Sequence, residues 1–147
     1  MLRFWVAGSC LLGLLVINGC GGESAPPLAQ VEGTVKDTDG NVLDGIKVMF
    51  LPDPESGVLG SPGIGETDAS GKFVLYYNGD KNQPGTAIGL SFVIMEDITS
   101  IRSSRDEEPI PRRFHRRYTA SNSTDLKLTV KDEENQSFDI VVDPSDE

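Results

Sequence analysis

The sequence predicts an all-β sandwich of about seven strands. Two observations carry that prediction. Apolar residues recur at every second position in short runs, the mark of strands with one buried face. Turns rich in glycine, aspartate and asparagine separate the runs. The 147 residues include 16 glycines and nine prolines, and no convincing amphipathic helical pattern or internal repeat interrupts the strand pattern.

The first run is Ala29–Lys36, with Val31, Gly33 and Val35 on one face. Asp37–Asn41 follows and looks like the opening of a calcium loop. The twelfth position of such a loop needs a bidentate Glu between two helices, but here it is Val48 among strand residues, so the segment reads as a hairpin turn. Gly45–Leu51 is the second run, with Ile46, Val48 and Phe50 inward. Pro52–Gly65 reads as a Pro/Gly loop. Thr67–Lys72 turns the chain into a strand over Phe73–Tyr77, and Asn78–Gly85 is a polar loop. In the long run Thr86–Met95, Ile88, Leu90, Phe92 and Ile94 share the expected core face, with Gly89 and Ser91 opposite, at a close neighbour or an exposed surface. Residues 96–125 read as a long irregular insertion, expected to be the least ordered part of the domain after its two ends. Leu126, Leu128 and Val130, then Phe138, Ile140 and Val142, complete the pattern. The expected core is Val31, Val35, Ile46, Val48, Phe50, Phe73, Leu75, Ile88, Leu90, Phe92, Leu126, Leu128, Val130, Phe138 and Ile140.

The N-terminus carries a different signal. Arg3 precedes a largely apolar run of 14 residues, Phe4–Ile17. A membrane span needs about 20, so the run has the length of a signal-peptide core. Ile17-Asn18-Gly19-Cys20 resembles a bacterial lipoprotein signal, in which Cys20 is the acylated residue. Asn18 departs from the usual small or hydroxyl residue; an uncleaved anchor and an ordinary cleaved signal peptide are the alternatives. The organisation expected is a signal over 1–19, a tether over 20–27, the sandwich over 28–143 and an acidic tail over 144–147. Of the two cysteines, Cys10 leaves with the leader and Cys20 is modified, so the domain needs no disulfide. The implied partner is a membrane, through lipid on Cys20, and the implied location is the cell envelope.

The charge is −10, from 23 acidic and 13 basic residues, which argues against nucleic-acid binding. The arginines outside the leader are Arg102, Arg105, Arg112, Arg113, Arg116 and Arg117. Such a concentration points to a docking site for an anionic partner, an envelope protein, polysaccharide or lipid headgroup, carried by Arg112, Arg113, Arg116 and Arg117. The opposing reading is a solvated loop neutralised by Asp106, Glu107 and Glu108 or by acidic strands nearby. If the arginines point outward, replacing those four with Ser leaves folding nearly unchanged. A single histidine, His115, permits no multi-histidine metal site, and no cofactor is implied. An enzyme would have to use turn carboxylates such as Asp37, Asp39 and Asp68.

Two stretches carry a wider resemblance. Val31–Val35 with Asn41–Phe50 resembles the opening of carboxypeptidase-regulatory-like domains, also described as transthyretin-like and close to Cna B-type modules. Thr67–Phe73 resembles that family's T-D-x-x-G-x-F turn. Leu43 stands where the family often has Pro. Ile110-Pro111, Tyr118, Leu126–Val130 and Phe138–Ile140 are similar to segments of short envelope lipoproteins typical of planctomycete-type bacteria. The resemblance covers roughly residues 28–142 and implies a transthyretin-like or immunoglobulin-like sandwich serving as a non-catalytic exported module. Related hydrolases use several histidines and a C-terminal Tyr-Arg-Gly-Ser tail, which this chain lacks. Cna B-type modules also suggest a Lys36 or Lys47 cross-link to Asp139, against the plainer reading of exposed strand residues.

Overall fold

The computed structural model describes residues 26–101 and 110–145. Ten strands follow one another: β1 (Leu28–Ala29), β2 (Val31–Asp37), β3 (Ile46–Pro52), β4 (Gly63–Glu66), β5 (Lys72–Val74), β6 (Tyr76–Tyr77), β7 (Thr86–Ala87), β8 (Gly89–Asp97), β9 (Lys127–Val130) and β10 (Gln136–Val142). One sheet has the order β10-β2-β5, another the order β6-β4-β3-β8-β9, and β1 with β7 forms a two-stranded ribbon. The first and last long strands, β2 and β10, pair in parallel. Among the described residues no helix is long and apolar enough to cross a membrane.

The period-two pattern places the core between the two larger sheets. Val31, Val35, Phe73, Ile140 and Val142 from one meet Ile46, Val48, Phe50, Val93, Met95 and Val130 from the other. Burying each such side chain contributes roughly 1.5–3 kcal/mol relative to leaving it exposed. Phe50 is central, its ring centroid 6.4 Å from that of Phe73 and 5.8 Å from that of Phe138. Gly33 lies opposite Phe73 on one neighbouring strand and Phe138 on the other. A Cβ there would stand 2.2 Å from the Phe138 carbonyl oxygen and 2.6 Å from the Phe73 ring, so the Phe50 cluster requires glycine at this place.

The strands of the described residues exceed the expected seven because three expected runs split, into β1 and β2, β5 and β6, and β7 and β8, and because one short strand hides in an apparent loop. β4 lies within the Pro/Gly segment. Its glycines remove the alternating pattern, and a Cβ on Gly65 would meet the Val74 carbonyl oxygen at 2.4 Å. That close approach lets the chain pass at buried Leu75 from β5 in one sheet to β6 in the other, closing this side of the sandwich.

β8 presents the opposite face from the one expected. Ser91, Val93, Met95 and Asp97 are buried, whereas Leu90, Phe92 and Ile94 are half-buried on the outside, and Ile88 packs only partly against the core. Both faces of β8 are apolar, so its own pattern could not choose between them. Pairing chose: Ile46, Val48 and Phe50 lie opposite Asp97, Met95 and Val93, and cross-strand partners share a face. Outside, Phe92 lies beside Leu51 and beneath the Lys127 ammonium, 4.5 Å from its ring centroid. Gly89 does have a close neighbour, the side chain of Val58. Leu126, Leu128 and Phe138 are partly rather than fully buried.

The described part of the 96–125 segment is also more ordered than expected. One helical turn spans Ile98–Ile101 and a 3-10 turn spans Arg116–Thr119. Phe114 and Tyr118 join the core, while Ile110 is exposed.

Candidate functional site

The strands define two poles. The chain enters at Leu28 beside Ala87, and Gly89, Val130 and Gln136 lie at that same end. β2 and β8 run away from it, so Asp37 and Asp97 mark the opposite pole, and Arg112–Arg117 fold there. The seven residues of β2 alone span about 23 Å.

At this distal pole the Arg run forms a clasp. Asp97 ends β8 on its inward parity, and its side chain is 0% exposed. Its carboxylate accepts hydrogen bonds from Arg113 Nε (3.0 Å), Nη2 (3.0 Å) and backbone N–H (3.2 Å), and from Thr99 Oγ1 (2.6 Å). Arg113 reaches on to Asp44, donating to its carboxylate at 2.8 Å and its carbonyl at 2.5 Å. One guanidinium thereby ties β8 to the turn before β3. Burial disfavours the charge on Asp97, but the Arg113 and Thr99 hydrogen bonds outweigh it and hold the carboxyl below its ordinary range. The hydrogen bond to Asp97, with that to Asp44, raises the Arg113 pKa against the opposing effect of burial.

Four residues on, Arg117 pairs with Asp143 and donates to Tyr118 Oη at 3.0 Å, with its guanidinium 5.0 Å from the Tyr118 ring centroid. Tyr118 Oη donates to Asp143 Oδ2 at 3.0 Å. The Tyr118 ring also packs on Phe114, with centroids 6.4 Å apart. His115 caps the 3-10 turn, its Nδ1 accepting from the Arg117 N–H at 3.1 Å. The backbone joins in, with the His115 N–H donating to the Asp143 carbonyl at 2.9 Å and Phe114 bridging Pro144.

The four arginines therefore separate into two kinds. Arg113 and Arg117 are spent on Asp97, Asp44 and Asp143, which corrects the expectation that all four point outward. Arg112 is half-buried and Arg116 exposed, and neither forms an ion pair among the described residues. Residue types alone did not reveal the acidic partners, which come from distant parts of the chain. The one sequence cue was a charged Asp97 at a position sharing parity with Val93 and Met95.

The turn carboxylates serve their own turns. Asp37 accepts from the side chain and N–H of Asn41 and from the Asp39 N–H; Asp68 accepts from Ser70 and the Lys72 N–H. The Asn41 side-chain bond leads in lowering the Asp37 pKa, and the Ser70 side-chain bond leads for Asp68. Asp39 is exposed in its turn. Among the described residues no three His, Cys, Asp or Glu side chains group as metal ligands. Asp139 accepts from Thr34 Oγ1 at 2.5 Å, and Lys47 pairs with Glu96 at 3.3 Å in the other sheet. Cys20, Arg102 and Arg105 lie outside the described residues. No family model, curated protein or solved structure matches this chain.

Proposed function

We propose that this chain is a non-catalytic β-sandwich module of the cell envelope, anchored by lipid on Cys20 and acting in a structural or binding role. The observation that carries the reading is Ile17-Asn18-Gly19-Cys20 closing an apolar run of signal-peptide length. Several acyl chains on one residue give stable anchoring where one chain is marginal. The engagement of Asp37 and Asp68 in their own turns supports a non-catalytic role, since each carboxylate is occupied by backbone N–H groups a few residues away. The polarity of the sandwich adds a direction. A tether entering at Leu28 leaves Arg112 and Arg116 at the far pole, facing away from the anchoring membrane and toward an anionic envelope protein or polysaccharide. Metabolic labelling with a palmitate analogue tests the anchor. Wild type should incorporate label and Cys20→Ala should not; equal labelling of both, or of neither, defeats the reading.

A further inference from the structure

β10 is an edge strand with an unguarded side. Its parallel register with β2, opened by the Gln136 N–H donating to the Gln30 carbonyl at 3.1 Å, turns the backbone groups of Gln136, Phe138, Ile140 and Val142 toward β2. Those of Ser137, Asp139 and Val141 face the other way, and β2 is the only strand paired with β10 among the described residues. Three N–H and three C=O groups thus line an open edge. Edge strands are commonly protected by lysine, proline or a bulge. Gln136–Val142 contains no lysine, arginine or proline and pairs with β2 without interruption, while Val141 is 53% exposed. The only charge on the strand is Asp139, held by Thr34.

The next outward position is already occupied. At Asp143 the edge turns to the clasp: the His115 N–H donates to the Asp143 carbonyl, the Ser145 N–H donates to the Arg113 carbonyl, and Phe114 bridges Pro144 in antiparallel sense. The molecule itself therefore adds an antiparallel segment to this edge. That segment leaves at Arg116, where the 3-10 turn begins, so among the described residues no strand pairs with the edge from Val141 to Ser137 along the same line.

We propose that this opening accepts an extended cationic segment of another protein, added antiparallel to β10 beyond the clasp. Main-chain hydrogen bonds would supply affinity, as in other strand-addition complexes. Charge selects the partner: Asp139 lies on the edge, Asp132, Glu133 and Glu134 precede it, and the chain carries −10 overall. A second copy of this chain would bring the same acids against them. The opening is about 17 Å long, enough for about five partner residues.

The test uses the full chain in detergent micelles with an acetylated, amidated heptapeptide of alternating Lys and Val, read by amide hydrogen exchange. The peptide should slow exchange at Ser137, Asp139 and Val141 by about tenfold or more, leave Phe138 and Ile140 unchanged, and bind more weakly as salt rises. Asp139→Pro removes one outward donor at a position where the β2 ladder does not need it, and should weaken binding by about tenfold. Asp139→Lys is the companion variant if the proline disturbs folding; it places a guarding cation on the edge and should weaken binding similarly. No added protection at about 1 mM peptide, or wild-type binding by a folded variant, overturns the proposal.

Discussion

Arg113 shows how one side chain can be mistaken for surface. It stands in an Arg-rich run, Arg112–Arg117, yet its guanidinium is the counterion of a carboxylate with no exposed side-chain surface. Arg113→Ala leaves Asp97 buried with only Thr99 and the residue 113 N–H as donors. The expected cost is about 2–4 kcal/mol, because removing one partner of a buried pair strands the other. The variant should also respond differently to acid. Asp97 titrates lower in the folded chain than in the unfolded one, so its stabilising contribution is complete above about pH 4 and disappears as pH falls through the lower folded value. Arg113 stays protonated throughout. Urea midpoints at pH 5 and pH 3 should therefore converge in the variant relative to wild type. Asp37 and Asp68 titrate in the same direction and remain in both proteins, so the difference between the two reports Asp97.

At the scale of elements, β8 is the informative case. Its outward side carries Leu90, Phe92 and Ile94 and its inward side Ser91, Val93, Met95 and Asp97. By residue size the outward set makes the better core, but the inward set lies opposite the inner residues of β3. The 3-10 turn bearing Tyr118 packs against this strand as well. Val93→Asn should cost about 3 kcal/mol or more, since it buries an unpartnered amide at a fully enclosed site. Phe92→Asn, although it removes a larger side chain, should cost only about 1 kcal/mol, with loss of the Lys127 contact. Thermal or urea denaturation of the two variants checks the order; a reversal would place β8 one residue out of register.

For the whole molecule, the clasp ties the far pole together. Arg113 joins β8 to the turn before β3, while Arg117 and Tyr118 hold the chain beyond β10. Arg112→Ser with Arg116→Ser should leave stability within about 0.5 kcal/mol of wild type. Arg113→Ser with Arg117→Ser should lower it by more than about 2 kcal/mol and speed amide exchange at His115 and Tyr118. Envelope binding that depends on charge should fall with the first pair while folding is preserved. Equal stability of the two double variants would contradict the division of the arginines.

The all-β fold and the buried faces of β2, β3 and β5 are legible in the residue pattern alone. In each of these strands one parity is apolar and the other largely polar or less apolar, so burial has a clear preference. That pattern also located the turns at Asp37–Asn41 and Thr67–Gly71, where Asp side chains bond to backbone N–H groups only a few residues away. Local chemistry suffices for such features. Tertiary structure decided the rest. β4 escaped because Gly63 and Gly65 carry no side-chain pattern, their absence of a Cβ serving contacts with Thr86 and Val74. β8 was undecided because both its faces are apolar, and only the register with β3 selected one. The arginine clasp was invisible because Asp44, Asp97 and Asp143 are separated from it along the chain, and only the packed sandwich brings these charges together.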